Sequence, residues 1–405
     1  MRDATAADGY LGAVTLILHD GRIVDFHSYG QRDLARREPM RKNAIFRIYS
    51  MSKTITSAAL MLLVEQGRIG LDDPVSRYLP ELARRQVLIG GTIDAPRLRP
   101  ATSEITIREL LTHTAGFPAG LKGDETAVAL MRRNDPHAAT DLRGFVERLS
   151  HTPLAADPGK RFGYDGAAIE VLARVIEVVS GQAFDVFLRE RIFEPLGMRD
   201  TGFIVASTQR SRVVDITVMG DDGRLRIADG PSAREPGAPL NAYPSGAGGL
   251  YSTACDYARF ARMLLDKGAI AGDFGDPICD GASTPQVTRL LRSDTVTMMM
   301  SNQLTMLDPP VHQFNPGEGF GFGGAVVIDV GKRGQRGSVG QFGWPGAAST
   351  TYSIDPSRGL IAIALLQHLP RDDGKSDLPR ISRDFYRLVD KAIDRRTAPH
   401  TEVAK

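Results

Sequence analysis

The chain of 405 residues is poor in cysteine and tryptophan and carries almost no net charge. Its two cysteines, Cys255 and Cys279, have neither a metal-ligand spacing nor the density of a disulfide framework, so we expect no thiol chemistry and no metal site. A disulfide between these two residues is the alternative. The 50 basic side chains nearly balance the 48 acidic ones, to a formal charge of +2, which indicates no nucleic-acid partner.

Long apolar runs are also absent from the sequence. No stretch reaches the length of a transmembrane helix, and the N-terminal residues have no apolar signal segment, so we predict no membrane partner and a cytoplasmic location. The G-x-G-x-x-G string at residues 319–324 precedes a strand-like run rather than a helix, so it does not predict a dinucleotide site, and we expect no cofactor. The oligomeric state is not predicted.

Hydrophobic periodicity predicts strands near both ends of the chain and mostly helices between them. Residues 11–18 and 22–29 flank an Asp-Gly pair, which is typical of a β-hairpin. Helical spacing covers residues 54–64, 167–179, 184–192 and 254–265, and strand-like runs cover 321–330, 337–344, 350–355 and 360–366. A C-terminal helix is predicted to bury Ile381, Phe385, Leu388, Val389 and Ile393.

Strands from the two ends of the chain are expected to meet in one sheet. We therefore predict an α+β fold, in which an antiparallel β-sheet is flanked by helices and carries an inserted, mostly helical domain. Residues 1–75 and 240–405 would form the sheet domain, and residues 76–239 the helical domain. The active site is expected at the interface of the two domains.

The most informative motif is Ser50-Met51-Ser52-Lys53, at the junction of a strand-like run and an apolar helix. Residues three apart share a helix face, so the Lys53 amine can reach the Ser50 hydroxyl. The helix N-terminus favours negative charge on that oxygen, and an amine shielded from water loses part of its preference for the charged form. The motif therefore predicts a serine nucleophile activated by a lysine. The alternative is an N-cap serine followed by a solvated lysine.

Two further segments can complete such a site. Tyr164 precedes a predicted helix, where its phenol could relay a proton; the alternative is a packing tyrosine. The string Trp344-Pro-Gly346-Ala347 ends a strand-like run, and a proline and a glycine there indicate an edge or a bulge that another molecule can approach. Trp344 and Gly346 would line a substrate groove, and the Ala347 and Ser50 amides would form an oxyanion hole. The alternative for Trp344 is a surface residue beside a tight turn.

His113 lies in the string Leu-Leu-Thr-His-Thr-Ala-Gly at residues 110–116. It could serve as a base for Ser50, but a histidine in such a turn more often holds a loop by hydrogen bonds. We interpret it as structural.

In combination, these motifs resemble the serine β-lactamase and penicillin-binding-protein superfamily across nearly the whole chain. The resemblance rests on Ser50-x-x-Lys53, on residues 110–116, on Tyr164 at the head of a helix and on residues 344–347. Within the superfamily, residues 46–54 and the W-x-G at 344–346 are most similar to the family VIII carboxylesterases, which are relatives of the class C β-lactamases.

This resemblance implies that Ser50 is the nucleophile and that Lys53 and Tyr164 are its paired acid and base. It also implies an oxyanion hole formed by the Ser50 and Ala347 amides.

The chain departs from the class C pattern at two positions. Gly166 stands where the Y-x-N motif has asparagine, and Trp344-Pro345-Gly346 stands where the K-T-G motif supplies a lysine. The first change removes an amide and the second removes a cation suited to a β-lactam carboxylate, so both favour neutral esters.

We therefore predict a serine carboxylesterase that forms an acyl-enzyme on Ser50 and hydrolyses small esters with short- to medium-chain or aryl groups. The alternatives are a β-lactamase or D-alanyl-D-alanine peptidase, an acyltransferase on the same scaffold, and a catalytically silent relative that only binds ligands.

Overall fold

A computed structural model describes residues 1–6, 9–270, 272–280, 288–306 and 314–397. The strands are β1 (Gly12–His19), β2 (Arg22–Gly30), β3 (Phe46–Arg47), β4 (Gln86–Gly91), β5 (Pro96–Pro100), β6 (Thr217–Met219), β7 (Leu225–Ile227), β8 (Tyr251–Ser252), β9 (Glu318–Phe320), β10 (Ala325–Val327), β11 (Phe342–Pro345), β12 (Thr351–Asp355) and β13 (Leu360–Leu365).

The α-helices are α1 (Ser52–Glu65), α2 (Ile107–Leu111), α3 (Glu125–Asn134), α4 (Leu142–Ser150), α5 (Ala167–Ser180), α6 (Phe184–Leu188), α7 (Glu194–Leu196), α8 (Pro231–Arg234), α9 (Ala254–Leu265), α10 (Ser293–Met299), α11 (Val330–Arg333) and α12 (Ser382–Thr397). A π-helical segment, Arg189–Phe193, joins α6 to α7, so the helix predicted over 184–192 is present but changes its hydrogen-bonding pattern.

The main sheet has seven strands in the order β2-β1-β13-β12-β11-β10-β9, and its neighbouring strands are antiparallel. The predicted N-terminal hairpin is confirmed, and its first strand pairs directly with the last strand of the chain, with Val14 opposite Leu365. The two ends of the sequence therefore close one sheet. Together with the helices between them, this arrangement confirms the predicted α+β fold class.

Strand β13 is buried at every position because helices cover both of its faces. Successive side chains of a strand point to opposite faces. Ile361, Ile363 and Leu365 belong to the large core that includes α1, α5 and α9, whereas the alternate residues Leu360 and Ala362 pack in a second cluster with α12. The division of the chain into domains at residues 75/76 and 239/240 stays a prediction.

Three sequence predictions need correction. Of the strand predicted over 321–330, only β10 is present, because the chain first turns at Gly323, whose φ of +89° suits glycine, on its way from β9. The strand predicted over 337–344 is confined to β11, since Gly337 and Gly340 also adopt positive φ. In α12, Leu388 is 54% exposed, because Phe385, Val389 and Ile393, spaced four apart, form a narrower buried stripe.

Two hairpins in the central region were not predicted. The pairs β4–β5 and β6–β7 are short, largely exposed ribbons, so they lack the alternation of apolar and polar residues that marks a half-buried strand.

Cys255 and Cys279 form a disulfide, which is the alternative that the sequence left open. Disulfides persist mainly in oxidising compartments, so this bond argues against the predicted cytoplasmic location. Within the described part of the chain, no helix has both the length and the apolar character needed to cross a bilayer.

Candidate active site

Ser50 lies on a tight turn between a short strand and a buried helix. The turn is a 3-10 helix, Tyr49–Met51, that follows β3 and leads directly into α1. Tyr49 has a φ of +44°, an uncommon conformation for a residue with a side chain. The turn leaves Ser50 half-buried at its apex, as predicted for a strand-to-helix junction.

A fully buried arginine anchors the strand that precedes this turn. The Arg47 guanidinium donates hydrogen bonds to the Gly249 carbonyl at 3.0 Å and to the Ala238 carbonyl and the Tyr251 hydroxyl at 2.6 Å. It also stacks 4.0 Å from the centroid of the Tyr251 ring. Burial lowers the pKa of Arg47. Its partners lie about 200 residues away in sequence, so its role in fixing the turn was not predicted.

The Lys53 amine contacts the predicted nucleophile. Its Nζ lies 3.0 Å from Ser50 Oγ and 2.6 Å from the Ala247 carbonyl oxygen, and the residue is 4% exposed. The three-residue spacing at the start of α1 therefore brings the two groups together, as expected. The solvated-lysine alternative does not describe this buried amine.

The Tyr164 ring also lies near the Lys53 amine. The Lys53 Nζ is 5.1 Å from the centroid of the Tyr164 ring, and the Trp344 indole Nε1 donates a 2.8 Å hydrogen bond to the Tyr164 hydroxyl. Within the described ranges, no direct hydrogen bond joins that hydroxyl to Ser50 or Lys53. The Trp344 side chain thus both lines the groove and orients the phenol, a second contact that the sequence did not predict.

His113 supports the Tyr164 segment from behind. Its Nδ1 lies 3.4 Å from Asp165 Oδ2, its ring centroid is 4.7 Å from that of Tyr164, and the Gly163 amide donates to its carbonyl at 2.8 Å. Burial lowers the pKa of His113, so the buried imidazole is disposed to be neutral. These contacts favour the structural interpretation of His113.

A cavity of about 440 Å³ opens over Ser50. Its wall includes Tyr164, Trp344, Gly346 and Ala347, so all the predicted site residues except the more deeply buried Lys53 line it. The Gly346 amide donates to the Thr350 carbonyl at 2.8 Å, which fixes the bend after β11. Within the described residues, no cluster of three or more acidic, histidine or cysteine side chains is arranged to hold a metal ion.

Comparison with known proteins identifies the family. Residues 1–384 match the beta-lactamase family. Protein Rv1367c from Mycobacterium tuberculosis is 34% identical over 376 residues, which cover 91% of this chain and 89% of the relative. Esterase EstB from Burkholderia gladioli is 29% identical over 372 residues, which cover 88% of this chain and 85% of EstB.

Among solved structures, EstCE1, described as a hydrolase with promiscuous acyltransferase activity, has a TM-score of 0.72 and 25% sequence identity, covering 96% of this chain and 94% of EstCE1. The fold is therefore that of the serine β-lactamase class, and the predicted resemblance to that superfamily is confirmed. The chain belongs to the beta-lactamase family.

Proposed function

We propose that this protein is a serine carboxylesterase of the family VIII type, which hydrolyses short- to medium-chain and aryl esters through an acyl-enzyme on Ser50. The observation that carries the proposal is the position of the buried Lys53 amine. It lies 3.0 Å from Ser50 Oγ, and Ser50 lines an open cavity. The names of the relative EstB and of the structural neighbour EstCE1 support a hydrolase that acts on esters.

In the acylation step, Ser50 Oγ attacks the ester carbonyl carbon while its proton passes to the pair formed by Lys53 and Tyr164. The oxyanion of the tetrahedral intermediate accepts hydrogen bonds from the Ser50 and Ala347 amides. The carbon–oxygen bond to the alcohol then breaks, and the alcohol leaves with the proton returned by the pair. The acyl group remains on Ser50.

In the deacylation step, the same pair takes a proton from water as the water attacks the acyl carbonyl. Collapse of the second tetrahedral intermediate breaks the bond to Ser50 Oγ, which regains a proton, and the carboxylic acid leaves. The side chains of Trp344, Leu366 and Ile381 give the cavity an apolar wall that suits acyl chains or aryl groups.

An acyltransferase is the second candidate, because EstCE1 is described as having promiscuous acyltransferase activity. It shares the acylation step and differs only in the acceptor, which would be an alcohol or amine instead of water. Product analysis in the presence of an added alcohol distinguishes the two. A β-lactamase or D-alanyl-D-alanine peptidase is less consistent with the site, since Gly166 and Trp344 replace the amide and the cation of the class C motifs.

The test compares hydrolysis of p-nitrophenyl acetate, butyrate and octanoate with that of nitrocefin. We expect Ser50→Ala to lower ester turnover by about 10³-fold or more. Ser57→Ala is a matched control: Ser57 lies on the same helix, is fully buried, and its hydroxyl has no hydrogen-bond partner within the described residues. Near-native ester hydrolysis by folded Ser50→Ala would contradict the proposal, and dominant nitrocefin turnover would favour the β-lactamase.

A further inference from the structure

A buried carboxyl group lies behind the Lys53 amine. Glu170 projects from α5 and is 1% exposed. It accepts a hydrogen bond from the Ser245 hydroxyl and another, at 2.9 Å, from the Gly246 amide. Burying a carboxyl group is costly unless its oxygens are well paired. Within the described residues, no arginine or lysine forms an ion pair with Glu170, so the carboxyl is used to hold backbone and hydroxyl groups.

The segment that Glu170 holds is the turn from Ser245 to Gly249, closed by a 2.9 Å hydrogen bond from the Gly249 amide to the Ser245 carbonyl. Helix α1 holds the turn from the opposite side, where the Thr56 hydroxyl donates to the Gly246 carbonyl at 2.9 Å. At the next residue of the turn, the Ala247 carbonyl accepts the 2.6 Å hydrogen bond from Lys53 Nζ. This contact fixes one N–H of the amine while the same nitrogen lies 3.0 Å from Ser50 Oγ.

We propose that Glu170 is a positioning residue: it holds the Ser245–Gly249 turn so that the Ala247 carbonyl orients the Lys53 amine toward Ser50. This inference rests on the proposed hydrolase function, because it assigns Glu170 a role in the same reaction. Glu170 itself does not touch the substrate cavity described above. Its effect is expected on the rate of the chemical step and not on substrate binding.

The ionisation state of Glu170 gives the proposal a specific signature. Burial raises the pKa of Glu170 to about 7, and the hydrogen bonds from Ser245 and Gly246 and the charge of Lys53 oppose that rise. Above this pH, the carboxylate can accept from both donors. Below it, the neutral acid has one oxygen that is a weaker acceptor, so the turn is held less firmly and kcat should fall.

Other titratable groups surround the pair. Tyr164 and His113 lie beside Lys53, and Tyr243 lies beside Glu170, whose charge contributes to the raised pKa of Tyr243. All three residues are present in both wild type and a Glu170 variant, and only the charge that acts on them from residue 170 differs. The ratio of wild-type kcat to variant kcat at each pH therefore isolates the contribution of Glu170.

The experiment measures kcat and KM for p-nitrophenyl butyrate between pH 6 and pH 8 with wild type and Glu170→Gln. We expect the variant to have about 10-fold lower kcat at pH 8, where it lacks a charged acceptor, with KM changed by less than about twofold. At pH 6, where wild-type Glu170 is largely protonated, the two kcat values should agree within about twofold. A ratio that is constant across this range, or close to one at pH 8, would overturn the proposal.

Asp256→Asn is the matched control. Asp256 is also buried, and burial raises its pKa to about 7, but it caps a different region by accepting from the Asp200 amide and the Thr201 hydroxyl at 2.8 Å. Its kcat ratio to wild type should not vary with pH. A pH-dependent ratio in this control would indicate a general effect of buried carboxyl groups and would overturn the specific role of Glu170.

If Glu170→Gln does not fold, Glu170→Asp provides the test. It keeps the charge but cannot reach both donors, so kcat at pH 8 should fall about 10-fold with KM nearly unchanged; an unchanged kcat would overturn the proposal. Failure of the proposed function is distinguished separately, because it appears as ester hydrolysis that survives Ser50→Ala, whatever the Glu170 variants do.

Discussion

We expect Gly346→Ala to separate the strand end that carries Ala347 from the turn that carries Ser50. A Cβ atom at residue 346 would lie closer than 3.0 Å to the Ile48 carbonyl oxygen, whereas ordinary van der Waals contact begins at 3.4 Å. That carbonyl is backbone, two residues before Ser50, and cannot rotate away as a side chain can. Ordinary contact therefore requires the two segments to separate by about 1 Å, which exceeds the roughly 0.5 Å tolerance of a catalytic arrangement.

The proposed oxyanion hole uses one amide from each of these segments, so their separation weakens transition-state stabilisation more than ground-state binding. A 1 Å displacement can cost about 100-fold in rate, and we expect kcat for p-nitrophenyl butyrate to fall about 10-fold or more with little change in KM. Gly272→Ala is the control, because a Cβ there meets no described residue within 4 Å apart from its chain neighbours. A folded Gly346→Ala enzyme with kcat within about twofold of wild type would show that catalysis does not depend on the close approach of these two segments.

Three further changes test other parts of the structure. Trp344→Phe keeps an aromatic side chain but removes the N–H that donates to the Tyr164 hydroxyl, so kcat/KM should fall about 10-fold. An unchanged kcat/KM would rule out a role for the indole N–H. Replacing Cys255 and Cys279 by serine should lower the unfolding free energy in urea by about 3 kcal/mol without changing kcat; equal stability would contradict this expectation. Because burial raises the pKa of Asp256 to about 7, native protein binds more protons than unfolded chain just below that pH, and its stability falls as the pH rises toward 7. Asp256→Asn lacks this titration, so the Tm of the variant minus the Tm of wild type should increase from pH 5 to pH 8. A difference in Tm that is the same at both pH values would show that the raised pKa of Asp256 does not affect stability.

Local patterns predicted the parts of the site that are close in sequence. The spacing of Ser50 and Lys53 fixes their relative position as soon as a helix begins there, and the structure gives a direct contact. The N-terminal hairpin was predictable for the same reason, since an Asp-Gly turn between two β-prone runs is a local signal.

Contacts between distant residues required the family resemblance or were not predicted. Tyr164 and Trp344 are 180 residues apart, and only the resemblance implied that both face one groove. Glutamate is usually exposed on an amphipathic helix, so the burial of Glu170 was not predicted. The hydrogen-bond donors that pair with its buried carboxyl group come from the remote turn at Ser245 and Gly246. The burial of Arg47 was not predicted either, because the carbonyl groups that accept its hydrogen bonds belong to residues remote in sequence.

The proposed esterase reaction requires Ser50 to carry the acyl group during turnover. The most direct measurement is mass spectrometry of the intact protein quenched during hydrolysis of p-nitrophenyl butyrate, followed by peptide mapping of the adduct. We expect one butyryl group, located on the peptide that contains Ser50 and absent from Ser50→Ala. An adduct on another residue, or ester turnover by a folded Ser50→Ala enzyme at a rate near that of wild type, would contradict it.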